Sequence, residues 1–253
     1  MQRYFVNEDY KEQDIYYLKG EMFHHIAHVM RMKPKDTVYL AFQNHLAIVA
    51  EITEITEDTI LLKERAKENL EKELPVQITI ASGYPKGDKL EWIVQKGTEL
   101  GAHRFLGFPA QSSVVKWDGK KLSKKKQRLA KIAQEAAEQA HRQVVPEVQL
   151  CETATDFFEQ LDAYDLILVA YEESAKKGES AQLVQALQQA KPGSQIVAIF
   201  GPEGGLTPKE IDRLTQLNAK VCGLGPRILR TETAPLYFLS AVSYQFELLT
   251  ISE

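Results

Sequence analysis

Two stretches in the last quarter of the chain concentrate the groups that could do chemistry. Gly201-Pro-Glu-Gly-Gly205 carries Glu203, and Gly225-Pro-Arg-Ile-Leu-Arg-Thr-Glu-Thr-Ala234 carries Arg227, Arg230 and Glu232. A carboxylate in such a loop can take a proton; a guanidinium can hold a phosphate or a developing oxyanion. The same charges also suit a plainer job, an Arg–Glu pair that locks a loop. Each stretch follows a strand-like run, Gln195–Phe200 and Lys220–Leu224, so two strands in a row end in a Gly-Pro loop. Glycine lacks Cβ, which permits positive φ and lets a ligand approach the backbone closely. Ligands of α/β sheets sit beyond the carboxyl ends of strands. The loops therefore predict two walls of one pocket, with ordinary tight turns as the alternative. No Gly-Lys-Ser/Thr follows the first loop and the dinucleotide glycine spacing is missing, so neither phosphate-binding fingerprint applies.

Three other groupings carry charge or ligating atoms. Lys116, Lys120, Lys121, Lys124, Lys125, Lys126, Arg128 and Lys131 face a single acid, Asp118, over the same stretch. Phosphate binding is the functional reading, and a solvated helix face the alternative. Glu135, Glu138, Gln139 and Arg142 share one helix face, which suits an RNA border, a subunit contact or a self-paired surface stripe. His24 and His28 also share a face, but His25 stands where a zinc-protease helix has its glutamate, and no third ligand is near. With Arg31 on the same helix, the histidines read as RNA contacts or packed side chains, and no metal is expected.

The elements that position these groups alternate in two styles. Up to about residue 72 the chain is β-rich, with strands at Arg3–Val6, Thr37–Phe42, 45–50 and 59–62 around one helix at 20–30. Residues 65–75 are charged and end in proline, a linker signal. From residue 76 strands and helices alternate. The strands are 76–81, 104–108, 148–150, 166–170, 196–200 and 220–224. The helices are 89–100, 121–140, 155–161, 181–189, 208–217 and 234–249. Such alternation predicts a parallel α/β sheet covered on both faces. Thr207, Pro208 and Glu210 form a capping-box start, and Gly101 is placed to end a helix. The length of 253 residues favours two domains, here 1–72 and 73–253. A net charge of −4 excludes a uniformly basic nucleic-acid binder but not a local basic patch. Cys151 and Cys222 are isolated, and no apolar run exceeds strand length. A reduced, cytoplasmic setting without disulfide framework, signal peptide or membrane span is expected.

The paired stretches Phe200-Gly-Pro-Glu-Gly-Gly-Leu-Thr207 and Leu224-Gly-Pro-Arg-Ile-Leu-Arg-Thr-Glu-Thr-Ala234 resemble the ribosomal small-subunit methyltransferase E family, uracil-N3 methyltransferases of 16S rRNA in the SPOUT class. Gln2-Arg-Tyr-Phe5, His24-His-Ile-Ala-His-Val-Met-Arg31, Gln95-Lys-Gly-Thr-Glu-Leu-Gly101 and Glu135-Ala-Ala-Glu-Gln139 extend the likeness over essentially the whole chain.

The resemblance implies a PUA-like β-barrel before an α/β SPOUT domain. In that domain the chain from about Ile196 threads through itself as a trefoil knot. It implies S-adenosylmethionine held by Phe200, Gly201, Pro202, Glu203, Gly204, Gly205, Gly223, Leu224, Gly225, Arg227, Ile228, Leu229, Thr233 and Ala234. Removing the N3 proton of uracil asks for a base or for a cation that stabilises the anion, so Arg230, Glu232 and Glu203 are the catalytic candidates. The expected RNA-contacting set is Arg3, His25, Arg31, Lys116, Lys124, Lys125, Lys126 and Arg142. An arginine is expected in the family where this chain has Ser112, so one phosphate contact would be missing here. The implied partners are 16S rRNA or the small ribosomal subunit, and a second copy of the chain in a homodimer. Rival readings are methylation of a ribose 2′-oxygen or another base by an enzyme of the same class, and an RNA-binding assembly factor without activity.

Overall fold

The computed structural model describes residues 1–171 and 181–249. The chain divides into two compact units, Met1–Glu73 with Ala137–Val145, and Leu74–Ala136 with Pro146–Glu253. The first unit thus includes a returning segment, 137–145, for which the sequence carries no composition signal.

The first unit is a five-stranded sheet in the order β1 (Arg3–Val6), β3 (Thr37–Phe42), β4 (Ala47–Ile55), β5 (Thr59–Lys67), β2 (Tyr16–Lys19). Only β1–β3 is parallel. Register shifts at Val49/Ala50 and Ile52/Glu54 bend β4 against β5, as bulges do in curved, barrel-like sheets. Helix α1 (Gly20–His24) runs on into a π-helical turn, His25–Val29, and buries Ile26 in the sheet's apolar face. That face alternates in register: Val38 and Leu40, Ile48, Ala50 and Ile52, Ile60 and Leu62 all point inward. Burying a side chain of this size contributes about 1.5–3 kcal/mol, so the alternation pins strand register.

The second unit is a six-stranded, wholly parallel sheet. Its order is β11 (Lys220–Cys222), β9 (Leu166–Ala170), β10 (Gln195–Phe200), β6 (Gln77–Gly83), β7 (Arg104–Phe108), β8 (Glu147–Leu150). The run Ile196–Phe200 is buried throughout, as a central strand covered on both faces must be. The helices are α2 (Lys89–Glu99), α3 (Gly119–Gln139), the short α4 (Ala154–Phe158), α5 (Ala181–Gln189), α6 (Pro208–Gln216) and α7 (Ala234–Ser243), which continues as a π-helical turn to Leu248. Helix α2 ends in a Schellman pair: Gly101 sits at φ +93°, its N–H donates to Thr98 and that of Ala102 donates to Gly97. From edge strand β11 the chain returns to the middle of the sheet, where α7 packs on α2 and β10. The expected trefoil depends on this re-entry.

Among the departures from the sequence reading, β4 runs on to Ile55 and β11 stops at Cys222, and two more concern strand pairing in the first unit. Strand β2 is unanticipated, and β5 runs to Lys67, through residues read as linker. Both are held by pairing: Tyr16↔Leu62 for β2, and Ile48↔Lys67 for the end of β5.

Candidate active site

The carboxyl ends of β9, β10 and β11 meet at a cleft of about 570 Å³. Strand β10 lies between β9 and β6, so the chain fills the sheet out of order here, the place where open α/β sheets bind ligands. Of the expected cofactor residues, Phe200, Gly201, Pro202, Glu203, Gly204, Gly205, Leu224, Gly225, Arg227, Ile228, Leu229 and Ala234 line it. Gly223 is buried outside the lining and Thr233 is the N-cap residue of α7. Arg230 lines the cleft; Glu232 does not. Lys89, Ala170, Tyr171, Leu206 and Thr231 also line it and were not anticipated.

The first loop is braced from both ends. Thr207 caps α6, its Oγ1 accepting from the Glu210 N–H while Glu210 Oε2 accepts from the Thr207 N–H at 2.8 Å. Glu210 Oε1 also accepts the Gln111 N–H at 2.9 Å, and the Ser112 hydroxyl donates to the Gly205 carbonyl. Ser112 therefore has a structural job, closing against the loop. A Cβ on Gly204 would stand 2.9 Å from Ser112 Cβ, so Gly204 is needed for close packing, whereas Gly205 (φ +70°) and Gly225 (φ +86°) are needed for left-handed backbone.

The cleft suits a ligand with a flat polar edge and an apolar body. Leu224, Ile228, Leu229 and Phe200 supply apolar wall, and the added Cβ of Gly205 would meet only open space. The backbone groups of Leu224, Gly225, Ile228 and Leu229 make no hydrogen bond among the described residues. Unpaired donors and acceptors along an apolar slot are what an adenine edge requires.

Charge is arranged around Lys89. Its Nζ donates to Glu203 Oε1 at 2.8 Å and lies 3.7 Å from Glu232 Oε2. Glu203 Oε1 also accepts the Lys86 N–H at 3.1 Å. Burial works against ionisation of Glu203, but the bonds from Lys89 and from backbone N–H groups outweigh it and hold the carboxyl below the usual glutamate range. Glu232 Oε2 is shielded from solvent and accepts no hydrogen bond among the described residues. The loop-locking pair anticipated as the alternative for Glu203 is therefore present, with Lys89 in place of an arginine. Arg227 and Arg230 are exposed and form no ion pair among the described residues.

The residues expected to meet RNA separate into two groups. In the first unit, Arg31 is exposed, and His25 Nδ1 is hydrogen-bonded to the Tyr4 hydroxyl at 2.9 Å. Arg3 and Arg142 are corrections. Arg3 is 1% exposed, bound to Glu68 at 2.5 Å and stacked on Tyr39; Arg142 is 3% exposed and bound to Glu73. Guanidiniums buried in ion pairs are not available to phosphates. In the second unit, α3 buries Leu122, Leu129, Ala133 and Ala136 and exposes Lys120, Lys121, Lys124, Lys126 and Lys131. Lys125 is committed to Glu91 at 3.0 Å; Lys116, Lys124 and Lys126 are exposed without an ion pair among the described residues. Among the described residues no three His, Cys, Asp or Glu side chains converge on a metal position, and no helix is long and apolar enough to cross a membrane.

Fold and cleft together define an RNA methyltransferase. A family model of the RNA methyltransferase domain matches residues 72–243, and one of the RNA methyltransferase PUA domain matches residues 18–65. Ribosomal RNA small subunit methyltransferase E of Bacillus subtilis is 48% identical over 254 residues, covering 98% of each chain. Among solved structures, a crystal structure of a hypothetical protein superposes with TM-score 0.92 at 46% identity, covering 98% of this chain and 100% of that one. A Legionella pneumophila methyltransferase solved with bound S-adenosylmethionine superposes with TM-score 0.79 at 26% identity, covering 95% and 96%. The chain belongs to the ribosomal RNA small subunit methyltransferase E family.

Proposed function

We propose that this protein methylates N3 of a uridine in 16S rRNA, in the cytoplasm, with S-adenosylmethionine as the methyl donor. The observation that carries the reading is the cleft at the ends of β9, β10 and β11. It joins unpaired backbone groups on an apolar slot to the cation Arg230. Bound there, S-adenosylmethionine supplies an electrophilic methyl group on a sulfonium. Gly205 and Gly225 keep backbone conformations that side chains would strain, and Leu224 and Leu229 line the slot with apolar surface. The uridine leaves its stack to reach the cleft, as target bases generally do. It exchanges its N3 proton for the methyl group, the sulfonium becomes a neutral thioether, and the proton passes to water. Arg230 meets the negative charge that builds on the ring oxygens as N3 ionises. Mass spectrometry of small-subunit rRNA nucleosides tests the reading. A strain lacking the gene should lose one 3-methyluridine and regain it on re-expression. Loss of a 2′-O-methylated nucleoside instead would transfer the activity to ribose.

In this reading residues 1–72 grip RNA, and the lysines of α3 hold phosphates. Replacing Lys124 and Lys126 with alanine, and leaving Lys125 on Glu91, should lower the slope of log affinity against log salt by about 1.4–1.8, the yield of two lost contacts. Filter binding across a salt series measures it, and an unchanged slope makes the run a solvated face.

We also propose a homodimer. Tyr237, Tyr244 and Leu248 lie exposed along α7 and its π-helical extension, and Ile228 is exposed on the preceding loop. Large apolar groups clustered on one surface helix favour a partner of like character. Leu248→Glu should shift the mass seen by light scattering from dimer to monomer; a wild type that is monomeric throughout would end this proposal.

A further inference from the structure

Lys89 is the charged group of the cleft that neither Gly-Pro loop supplies. It is the first residue of α2, where the helix dipole disfavours a cation. Two carboxylates offset that placement, Glu203 from the first loop at 2.8 Å and Glu232 from the second at 3.7 Å. Both acids turn an oxygen toward the ammonium. Glu203 Oε1 accepts from Lys89 and the Lys86 N–H, and Glu232 lies outside the lining with its nearer oxygen shielded. Their common feature is the ammonium between them, which does line the cleft.

We propose that Lys89 is a second catalytic cation. Anchored by Glu203 and Glu232, its ammonium meets the charge that spreads over the uracil oxygens as N3 loses its proton, alongside Arg230. The inference rests on the uridine-N3 reading and deepens it. It also reassigns Glu203 and Glu232 from proton acceptors to anchors. A lysine in an active site can alternatively serve as a base, but only when its ammonium is destabilised. Here the hydrogen bond to Glu203 raises the Lys89 pKa. Partial burial opposes that, attraction to Glu203 and Glu232 adds to it, and Arg230 subtracts. Lys89 thus stays an ammonium while the uracil imide ionises. An ammonium is a compact point charge, complementary to the forked guanidinium of Arg230.

The test uses the full-length protein, S-adenosylmethionine and small ribosomal subunits from a strain lacking the gene. Lys89→Met should lower the single-turnover rate by about a hundredfold, leave cofactor affinity within about twofold, and recover partly at high pH. Lys89→Cys should be equally slow. Alkylation with 2-bromoethylamine, which rebuilds an ammonium at nearly the lysine length, should restore the rate, and iodoacetamide should not. Cys151 and Cys222 are buried and spared. This chemical rescue keeps the test decisive should the methionine variant fold poorly. An unchanged rate overturns the inference. So does a joint fall of affinity and rate without pH recovery, or recovery with the neutral reagent, since each describes a strut between the loops. A wild type that forms 3-methyluridine while Lys89→Met behaves in one of those ways sinks only the role of Lys89. A wild type that forms another methylated nucleoside sinks the uridine reading and this inference with it.

Discussion

Arg230→Lys should lower the single-turnover rate of methyl transfer by about a hundredfold or more, while affinity for S-adenosylmethionine should change little. The reason is the division of labour within its residue. The Arg230 carbonyl accepts the N–H groups of Thr233 and Ala234 at 2.9 and 3.0 Å, so the backbone is fixed at the start of α7. The guanidinium is exposed on the cleft and forms no ion pair among the described residues. It is free to give paired donors to a planar anion, which an ammonium cannot do. Loss of one preorganised donor typically costs about 2.7–4 kcal/mol in the transition state. On the proposed uridine-N3 reaction, ionised uracil would need less help, so raising the pH should recover part of the lost rate. Rapid-quench kinetics with calorimetric cofactor titration separates the two effects. If affinity and rate fall together at every pH, Arg230 merely closes the loop and leaves the chemistry to Lys89.

The strands that sequence pattern located well are those whose stability is mostly local and apolar. Leu166–Ala170, Arg104–Phe108 and Thr37–Phe42 are runs that favour strands in any setting, and each begins and ends where expected. Strand β2 does alternate, with Tyr16 and Leu18 buried and Tyr17 and Lys19 exposed, but four residues are too few to stand out from a charged neighbourhood. The end of β5, Lys63-Glu-Arg-Ala-Lys67, has no strand signal of its own; pairing with β4 makes it a strand. Propensity loses there to hydrogen bonds from a partner strand.

The site divides in the same way. Loop composition marked the walls of the cleft, because a Gly-Pro turn after a buried strand is a local feature. Lys89 was invisible, since it lies 114 residues from Glu203 and only the order β9-β10-β6 brings α2 to the loops. Ser112 was likewise seen as a missing charge rather than as a brace on Gly205. The opposite error befell Arg3 and Arg142: the sequence shows a cation, but its burial depends on a carboxylate found far along the chain.

Glu73→Ala should destabilise the protein by about 3–5 kcal/mol, on the order of 10 °C in melting temperature. Glu73 accepts Arg142 Nε at 3.3 and 3.2 Å as well as its Nη2. It also accepts the backbone N–H groups of Gln143 at 2.9 Å and Val144 at 3.3 Å. These bonds hold the returning segment 137–145 within the first unit. Truncation takes the carboxylate away from a guanidinium whose side chain is 3% exposed and removes the acceptor of two backbone amides at the same time. Glu73→Gln keeps an acceptor for the amides and should lose less. Arg142→Met removes the buried cation itself and should cost less than Glu73→Ala, because hydrophobic replacement of a buried ion is often tolerated. Thermal melts and hydrogen exchange at Gln143 and Val144 rank the three. The same Arg142→Met protein settles a second question. A buried strut contributes nothing to counterion release, so its RNA affinity should keep the wild-type salt slope. A slope lowered by about 0.7–0.9 would mean that the guanidinium leaves Glu73 to meet a phosphate, and would return Arg142 to the RNA-binding surface.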